Sequence, residues 1–482
     1  MGEKTLKERT ANGLAWGALN NLMTQLLATL IGIVLGRLLS PGEYGMVGML
    51  AIFSAVASTL QESGFTAALT NLKQATHREY NAVFWFSTTV SVSLYLLFFV
   101  SAPLIADYFR QPQLVALSRL LFLSFVVAGI GTAHAAYMFR NMMNREKAVT
   151  GLLALVGSGA VSITLALNGY SYWSLAWQQL TYITLVNIGR LYYVRWRPSL
   201  HMDLTPIREM FGFSSKLLVT NIVNQVNSNL LSFIFGRLFN AGVVGNYTQA
   251  AKWNNMGHSL ITGTMQQVAQ PVLASINDDE GRQLNVFRKM MRFTAFLSMP
   301  AMLGLALIAD FVVVLLGEQW RDSVPLLRML CISGAFMPIQ SLCQNLIISH
   351  GRSDTYMWGT LLQIIIQISV TLAFSSWGIQ AIVCAYTVMM VAWVLVWLFM
   401  AGRQVGLTCM HAAQDILPFL VTACLCIGVA GVCTWEVSQP VLSILLRMVI
   451  TALLYVLVMK VARVSIYEEC VDYLLGKIRL RR

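Results

Sequence analysis

Apolar blocks of about 20 residues recur along this chain, and each is long enough to cross a hydrocarbon core of ~30 Å. That recurrence restricts the fold more than any other feature. The blocks fall near residues 13–39, 46–70, 83–106, 115–139, 148–167, 171–194, 212–236, 242–275, 291–316, 324–348, 355–375, 378–400, 414–435 and 440–462. The reading is an all-α polytopic membrane protein of about 14 transmembrane helices. Only 11% of the residues are charged, against roughly 25% in an ordinary soluble domain. The first block is full length and lacks a small-residue cleavage site, so a retained span is expected rather than a signal peptide.

One stretch occurs twice. Residues 21–45, NLMTQLLATLIGIVLGRLLSPGEYG, align without a gap to residues 221–245, NIVNQVNSNLLSFIFGRLFNAGVVG, and eight of the positions are identical. LIAD also recurs, at 104–107 and 307–310, and RLLFLS at 119–124 matches RMLCIS at 328–333. A repeat at a constant spacing implies two related halves. The expected organisation is a six-helix bundle over residues 1–200, a second six-helix bundle over 201–402, and two further helices with a basic tail over 403–482. An even number of spans per half gives both halves the same direction, so the pseudo-axis runs along the membrane normal.

The eighth block, 242–275, is too polar for hydropathy alone to select. It follows the same Gly-x-x-Gly turn as its repeat partner at 46–70, which argues for a span. Charge supports this independently. With fourteen spans, most Lys and Arg residues fall in one set of alternate segments, and the other holds only Arg37, Arg110, Arg237 and Arg321. Basic loops stay in the cytoplasm, so both termini are expected there. The same distribution explains the net charge of +12 without nucleic acid as a partner.

The sequence carries no GxxxxGK[ST] phosphate loop, and the loops are too short for a folded catalytic domain. The Asn277-Asp278-Asp279-Glu280 run reads as a solvated loop. The eight cysteines show no metal spacing and read as small packing residues. No enzyme activity, metal or organic cofactor is therefore expected.

Function then rests on polar residues within the spans. Asn21, Gln25, Gly32 and Gly36 share one helical face, as do Asn221, Gln225, Ser232 and Gly236 in the second copy. Small residues at such spacing serve helix packing. The amides are costly in lipid and suit either a partner helix or a cavity, and both readings stand. Lys252 lies about ten residues into the eighth block, ~15 Å along a helix. Its repeat partner is Ile52, and no acid stands three or four residues away. The favoured reading is a cation lining a water-filled cleft that receives an anionic group, the alternative being a bond to a neighbouring helix. Lys216 stands near the start of the seventh block, and His258, Gln266, Gln267 and Gln270 extend the polarity around Lys252. Gly36-Arg37 and Gly236-Arg237 close their spans and read as hinge and turn. For these arginines, as for Arg119, Arg328 and Arg447, snorkelling or compensation of the helix dipole suffices. Amides, hydroxyls and a few cations suit a hydroxylated substrate bearing phosphate.

Several stretches carry a family resemblance: LKERT at 6–10, GEYG at 42–45, ESGFTAALTN at 62–71, INDD at 276–279 and GEQWRDSVPLLRML at 317–330. Together they resemble bacterial polysaccharide transporters of the Wzx type, in the colanic acid and capsule branch of the multidrug/oligosaccharidyl-lipid/polysaccharide flippase superfamily. The resemblance implies an inner-membrane flippase working by alternating access. Its substrate would be an undecaprenyl-pyrophosphate-linked oligosaccharide, carried to the periplasmic leaflet for capsule, exopolysaccharide or O-antigen synthesis. It also implies a cavity cation for the pyrophosphate, a role Lys252 fits, and contact with membrane lipids and a polysaccharide polymerase or assembly machinery. The aspartate that binds Na⁺ or H⁺ in drug-efflux relatives has no counterpart in the first block, so a coupling ion, H⁺ or Na⁺, stays open. The alternatives are an ion-coupled small-molecule or drug antiporter and a flippase for the lipid precursor of peptidoglycan.

Overall fold

A computed structural model of the chain describes residues 23–62, 69, 72, 75–200, 203–276, 279–469, 471 and 472. The described residues form helices and connecting turns, with no strand among them. In chain order the helices are α1 (Met23–Leu38), α2 (Pro41–Glu62), α3 (His77–Phe109), α4 (Leu114–Ile130) and α5 (Thr132–Arg140). There follow α6 (Asn144–Leu167), α7 (Trp173–Tyr193), α8 (Thr205–Leu238), α9 (Ala241–Ser275), α10 (Glu280–Leu307) and the short α11 (Phe311–Leu316). The chain closes with α12 (Ser323–Ser349), α13 (Ser353–Ala373), α14 (Ile379–Val405), α15 (Cys409–Cys433) and α16 (Pro440–Val461). Among the described residues nine helices are long and apolar enough to cross a membrane, and the bent pair α4–α5 makes a tenth if it is one span. The all-helical, polytopic character read from the sequence is borne out. The more polar α7, α8 and α9 fall outside that set, as does the described part of α1.

Two compact units divide the chain after Gly245. The first holds α1 to α8 and the opening turn of α9. Within it, Phe53 of α2 meets Phe98 of α3, Phe122 of α4 and Phe233 of α8 at 5.7, 6.3 and 5.9 Å between ring centroids. The seventh expected span, α8, thus packs in the first unit. Helix α3 starts on a capping box, in which Thr76 and Glu79 satisfy each other's backbone donors. The basic segment after α7 folds back onto this start. Ser199 N–H donates to Asn81 Oδ1 at 2.9 Å, Trp85 Nε1 to Ser199 O at 2.7 Å, and Arg78 pairs with Asp203 at 2.6 Å. Hydrogen bonds from the Thr205 side chain and backbone, joined by Arg78, push the Asp203 carboxyl down to about 2.

The fourth expected span, 115–139, is broken rather than continuous. Helices α4 and α5 meet at Gly131 with a bend of 47°. Asn187 of α7 enters the break, where its Nδ2 donates to Val127 O and its Oδ1 accepts from Arg190 at 3.1 Å. A Cβ on Gly131 would occupy the Asn187 amide. Backbone groups freed inside a membrane need such partners, because lipid supplies none.

The two copies of the repeated turn abut one another within the first unit. At the start of α2 the Glu43 carboxylate accepts from the Ser40 N–H and, at 2.8 Å, from its Oγ–H, and the Asn240 side chain caps α9 by accepting from Val243 N–H at 3.0 Å. Each turn then presents a glycine to the other. A Cβ on Gly45 would strike the carbonyl of Ala241, and one on Gly245 the carbonyl of Pro41. Such backbone approach is possible only for glycine. Gly236 has a related role, because a Cβ there would meet Phe109 and Met49.

In the second unit α12 is the most buried of the long apolar helices, and α10 and α14 pack on it. The ninth expected span, 291–316, is corrected in form: its helix begins at Glu280, ends at Leu307, and is followed by the separate α11. Helices α15 and α16 are fastened by two charge clusters. Buried Asp415 of α15 accepts from Arg288 Nε at 2.7 Å and Nη2 at 3.1 Å, and lies 3.0 Å from Arg292. Asp310 pairs with Arg328 at 2.7 Å and with Arg447 of α16 at 3.7 Å. Arg447 also donates to Thr434 Oγ1 at 3.0 Å. Snorkelling is therefore the wrong account of Arg328 and Arg447, since both are held by a carboxylate. Arg119, the counterpart of Arg328 in the repeat, instead covers the Phe99 ring at 4.2 Å.

The crossing of the turns is testable. Gly45→Ala forces side chain into backbone and should cost about 1–3 kcal/mol. Gly42→Ala has only Ser40 Oγ nearby, at 3.9 Å, and should leave stability nearly unchanged. Thermal melts of the two purified variants in detergent compare them directly. Equal melting temperatures would show that the close approach carries no constraint.

Candidate functional site

Helix α9 is rich in polar residues, and its two sides differ. One side is buried and includes Asn246, Gln249 and Asn254. Asn254 Oδ1 points at Gly334, whose missing side chain makes room for it. The opposite side is exposed and includes Lys252, Asn255, Ser259, Gln266 and Gln270. These positions follow at intervals of 3, 4, 7 and 4 residues, which places them in one stripe along a helix of 3.6 residues per turn.

Lys252 lies 11 residues from the first residue of α9, ~16 Å along the axis. Its side chain is exposed and makes no hydrogen bond or ion pair among the described residues. An ammonium in this position is tolerated if water or an anion reaches it. A stripe of amides and hydroxyls around one cation cannot face hydrocarbon cheaply either. The arrangement can hold an anionic group at one point and hydrogen-bond a polyhydroxylated chain along its length.

The other residues singled out from the sequence are dispersed. His258 is half-buried; its Nε2 lies 3.2 Å from Asn255 Oδ1, and its Nδ1 is buried without a partner. Gln266 Nε2 donates to Ser341 Oγ at 3.1 Å, so one of its donors is already engaged. In the first unit Gln25 and Asn221 are exposed and Gln225 is half-buried, on α1 and α8. Asn21 lies outside the described residues, as does the side chain of Lys216, whose backbone belongs to α8. Gly36 and Gly236 are buried, and Arg37 and Arg237 are exposed. Arg237 donates to Tyr108 O at 3.0 Å and lies 5.5 Å from the Tyr108 ring. Asn255 and Ser259 belong to the stripe although the sequence reading passed over them. Their offsets of three and seven residues from Lys252 were the available signal. Among the described residues no group of three or more His, Cys, Asp or Glu side chains is placed to hold a metal ion.

The family whose description is "Polysaccharide biosynthesis protein" matches residues 34–325, more than half of the chain. The chain belongs to this family. Two curated relatives span most of the chain. The lipopolysaccharide biosynthesis protein WzxC of Escherichia coli (strain K12) is 26% identical over 358 residues, 73% of this chain and 72% of the relative. The teichuronic acid biosynthesis protein TuaB of Bacillus subtilis (strain 168) is 24% identical over 438 residues, 89% of this chain and 90% of the relative. Among solved structures, the lipid II flippase MurJ in an inward closed conformation superposes with a TM-score of 0.74 at 12% identity, covering 92% of this chain and 98% of that one. The Wzx-type resemblance read from the sequence is borne out, and the fold is that of a polytopic helical transporter. At 12% identity the MurJ likeness speaks for the fold alone.

Water access to the stripe is measurable. Single cysteines at 252, 255, 259 and 266 should react with a charged, membrane-impermeant methanethiosulfonate at least tenfold faster than cysteines at Val441 and Leu453. Those two residues are exposed apolar positions on α16. Equal rates at both sets would mean that the stripe meets lipid.

Proposed function

We propose that this protein is an inner-membrane flippase that moves an undecaprenyl-pyrophosphate-linked oligosaccharide from the cytoplasmic to the periplasmic leaflet by alternating access. The observation that carries the reading is Lys252, an unpaired ammonium at membrane depth within an exposed polar stripe. Such a group suits the pyrophosphate, and the stripe's amides and hydroxyls suit the sugars. The polyprenyl chain would stay in lipid. The names of the curated relatives, lipopolysaccharide and teichuronic acid biosynthesis, support a polysaccharide precursor as cargo. They favour it over a drug and over the peptidoglycan precursor.

In this reading α1, α7, α8 and α9 also cross the membrane, which brings the total to fourteen and leaves both termini in the cytoplasm. The repeat boundaries 1–200, 201–402 and 403–482 describe ancestry, with the last segment an appendage. Asn21, Gln25, Lys216, Asn221, Gln225 and His258 are further contacts for the cargo. The Gly36-Arg37 and Gly236-Arg237 pairs act in the movement at the outer ends of their helices. No catalytic step is assigned, and the partners are the lipid-linked oligosaccharide, membrane lipid and the machinery that polymerises the repeat units. Coupling to H⁺ or Na⁺ is compatible with this scheme and is not required by it.

Lys252→Ala should lower polysaccharide export at least tenfold while the protein remains at normal level in the membrane, with lipid-linked oligosaccharide accumulating behind the block. Lys252→Arg, which keeps the charge, should restore much of it. Export by Lys252→Ala at the normal rate would remove this residue from the mechanism.

A further inference from the structure

A cavity of about 430 Å³, open on one side and lined in part by polar side chains, lies inside the first unit between α2, α4 and α7. Six polar side chains line it: Ser54, Ser58, Gln61, Ser124, Gln179 and Tyr182. None is charged. Phe125 adds an aromatic wall.

Its position is set by the broken helix. Gln61, only 5% exposed, forms part of the wall and sends its Nε2 to Thr132 Oγ1, beyond the bend, at 3.3 Å. Ala128, on the other side of the bend, also lines the cavity. Helix breaks in transporters accompany substrate sites because they free polar groups at membrane depth. Three further observations bear on an occupant. Ser54 Oγ is buried without any partner, a state that costs free energy unless a ligand or water meets it. Gln179 and Tyr182 make no hydrogen bond among the described residues. Ser58 and Gln179 are exposed, so the cavity has a mouth.

The chemistry of the walls decides among ligands. A pyrophosphate needs cationic partners and finds none here, and a metal ion or organic cation would look for a carboxylate that is equally missing. A neutral, hydroxyl-rich ring finds amide and hydroxyl donors and acceptors, with Phe125 for its apolar face. The volume falls within the roughly 300–1,000 Å³ usual for small-molecule sites, with room for about one or two sugar rings.

The geometry points to a carbohydrate subsite in the first unit, in which Ser54, Gln61 and Gln179 hydrogen-bond a neutral sugar of the cargo and so discriminate among repeat units. This rests on the flippase reading above. The subsite is distinct in composition from the Lys252 stripe: it binds sugar and leaves the pyrophosphate alone.

Two probes separate the claims: undecaprenyl pyrophosphate without sugar, and the lipid-linked oligosaccharide extracted from a strain that lacks this protein. Binding to the purified full-length chain is measured for each. The unaltered protein should prefer the glycosylated lipid. The double variant Ser54→Val, Gln179→Leu should bind it about tenfold more weakly, as expected for two lost hydrogen bonds. Binding of the bare lipid should not change, which also shows that the variant is folded. Lys252→Ala should weaken both probes. As a second measurement, maleimide labelling of Ser54→Cys, read by peptide mass spectrometry, should be slowed by the glycosylated lipid and not by the bare one. A double variant that keeps the full preference, or that loses both probes alike, overturns the subsite. An unaltered protein that binds both probes equally, or neither, overturns the flippase reading with it.

Discussion

Two backbone turns touch where Gly45 and Gly245 meet, and much of the first unit's arrangement depends on that contact. The carbonyl of Ala241 occupies the space a Cβ on Gly45 would need, and the carbonyl of Pro41 does the same opposite Gly245. Approach this close lets α2 and the start of α9 pack backbone to backbone, the interaction that replaces the hydrophobic effect between helices in lipid. The turns between α1 and α2 and between α8 and α9 are each tied by a local hydrogen bond, Ser40 Oγ donating to Glu43 in one copy and Asn240 Oδ1 accepting from Val243 N–H in the other. The repeated Gly-x-x-Gly is thus a steric requirement at two places that face each other.

The polar residues follow from the same economy. Membrane interiors tolerate polar groups only when each has a partner, and most here do. Asn187 fills the break at Gly131, Asp415 binds two guanidinium groups, and Asp310 joins Arg328 to Arg447. Other polar groups are left without a partner among the described residues, among them both ring nitrogens of His134 and the Asn246 and Asn254 side-chain oxygens. Lys252 on α9, and Ser54 with Gln179 beside the broken helix, make no hydrogen bond or ion pair within the described residues. The proposed cargo contacts are the ones among them that are exposed or line a cavity: Lys252, Gln179 and Ser54.

The helical, polytopic architecture was legible because the signal is physical and coarse. Twenty apolar residues in a row have few folds open to them. Lys252 was legible for a similar reason, as a charge without a nearby acid in a long helix. What the sequence hid was whatever depends on contacts between helices. Arg328 and Arg447 resembled interfacial snorkelling residues because their shared partner, Asp310, is 18 residues from one and 137 from the other. The bend at Gly131 left no trace in an unbroken apolar block, since Asn187 lies on another helix. The polar cavity beside it escaped for the same reason: its serines are individually unremarkable, and they converge only when α2, α4 and α7 are packed.

The central claim is that the protein changes the leaflet occupied by a lipid-linked oligosaccharide. The direct measurement uses proteoliposomes containing the purified chain and lipid-linked oligosaccharide labelled on the sugar with a fluorophore. A membrane-impermeant quencher reads how much label is accessible outside. With the protein present, label confined to the inner leaflet should become quenchable, and vesicles with Lys252→Ala should behave like empty ones. Unchanged sidedness in vesicles holding correctly folded, unaltered protein would contradict the account.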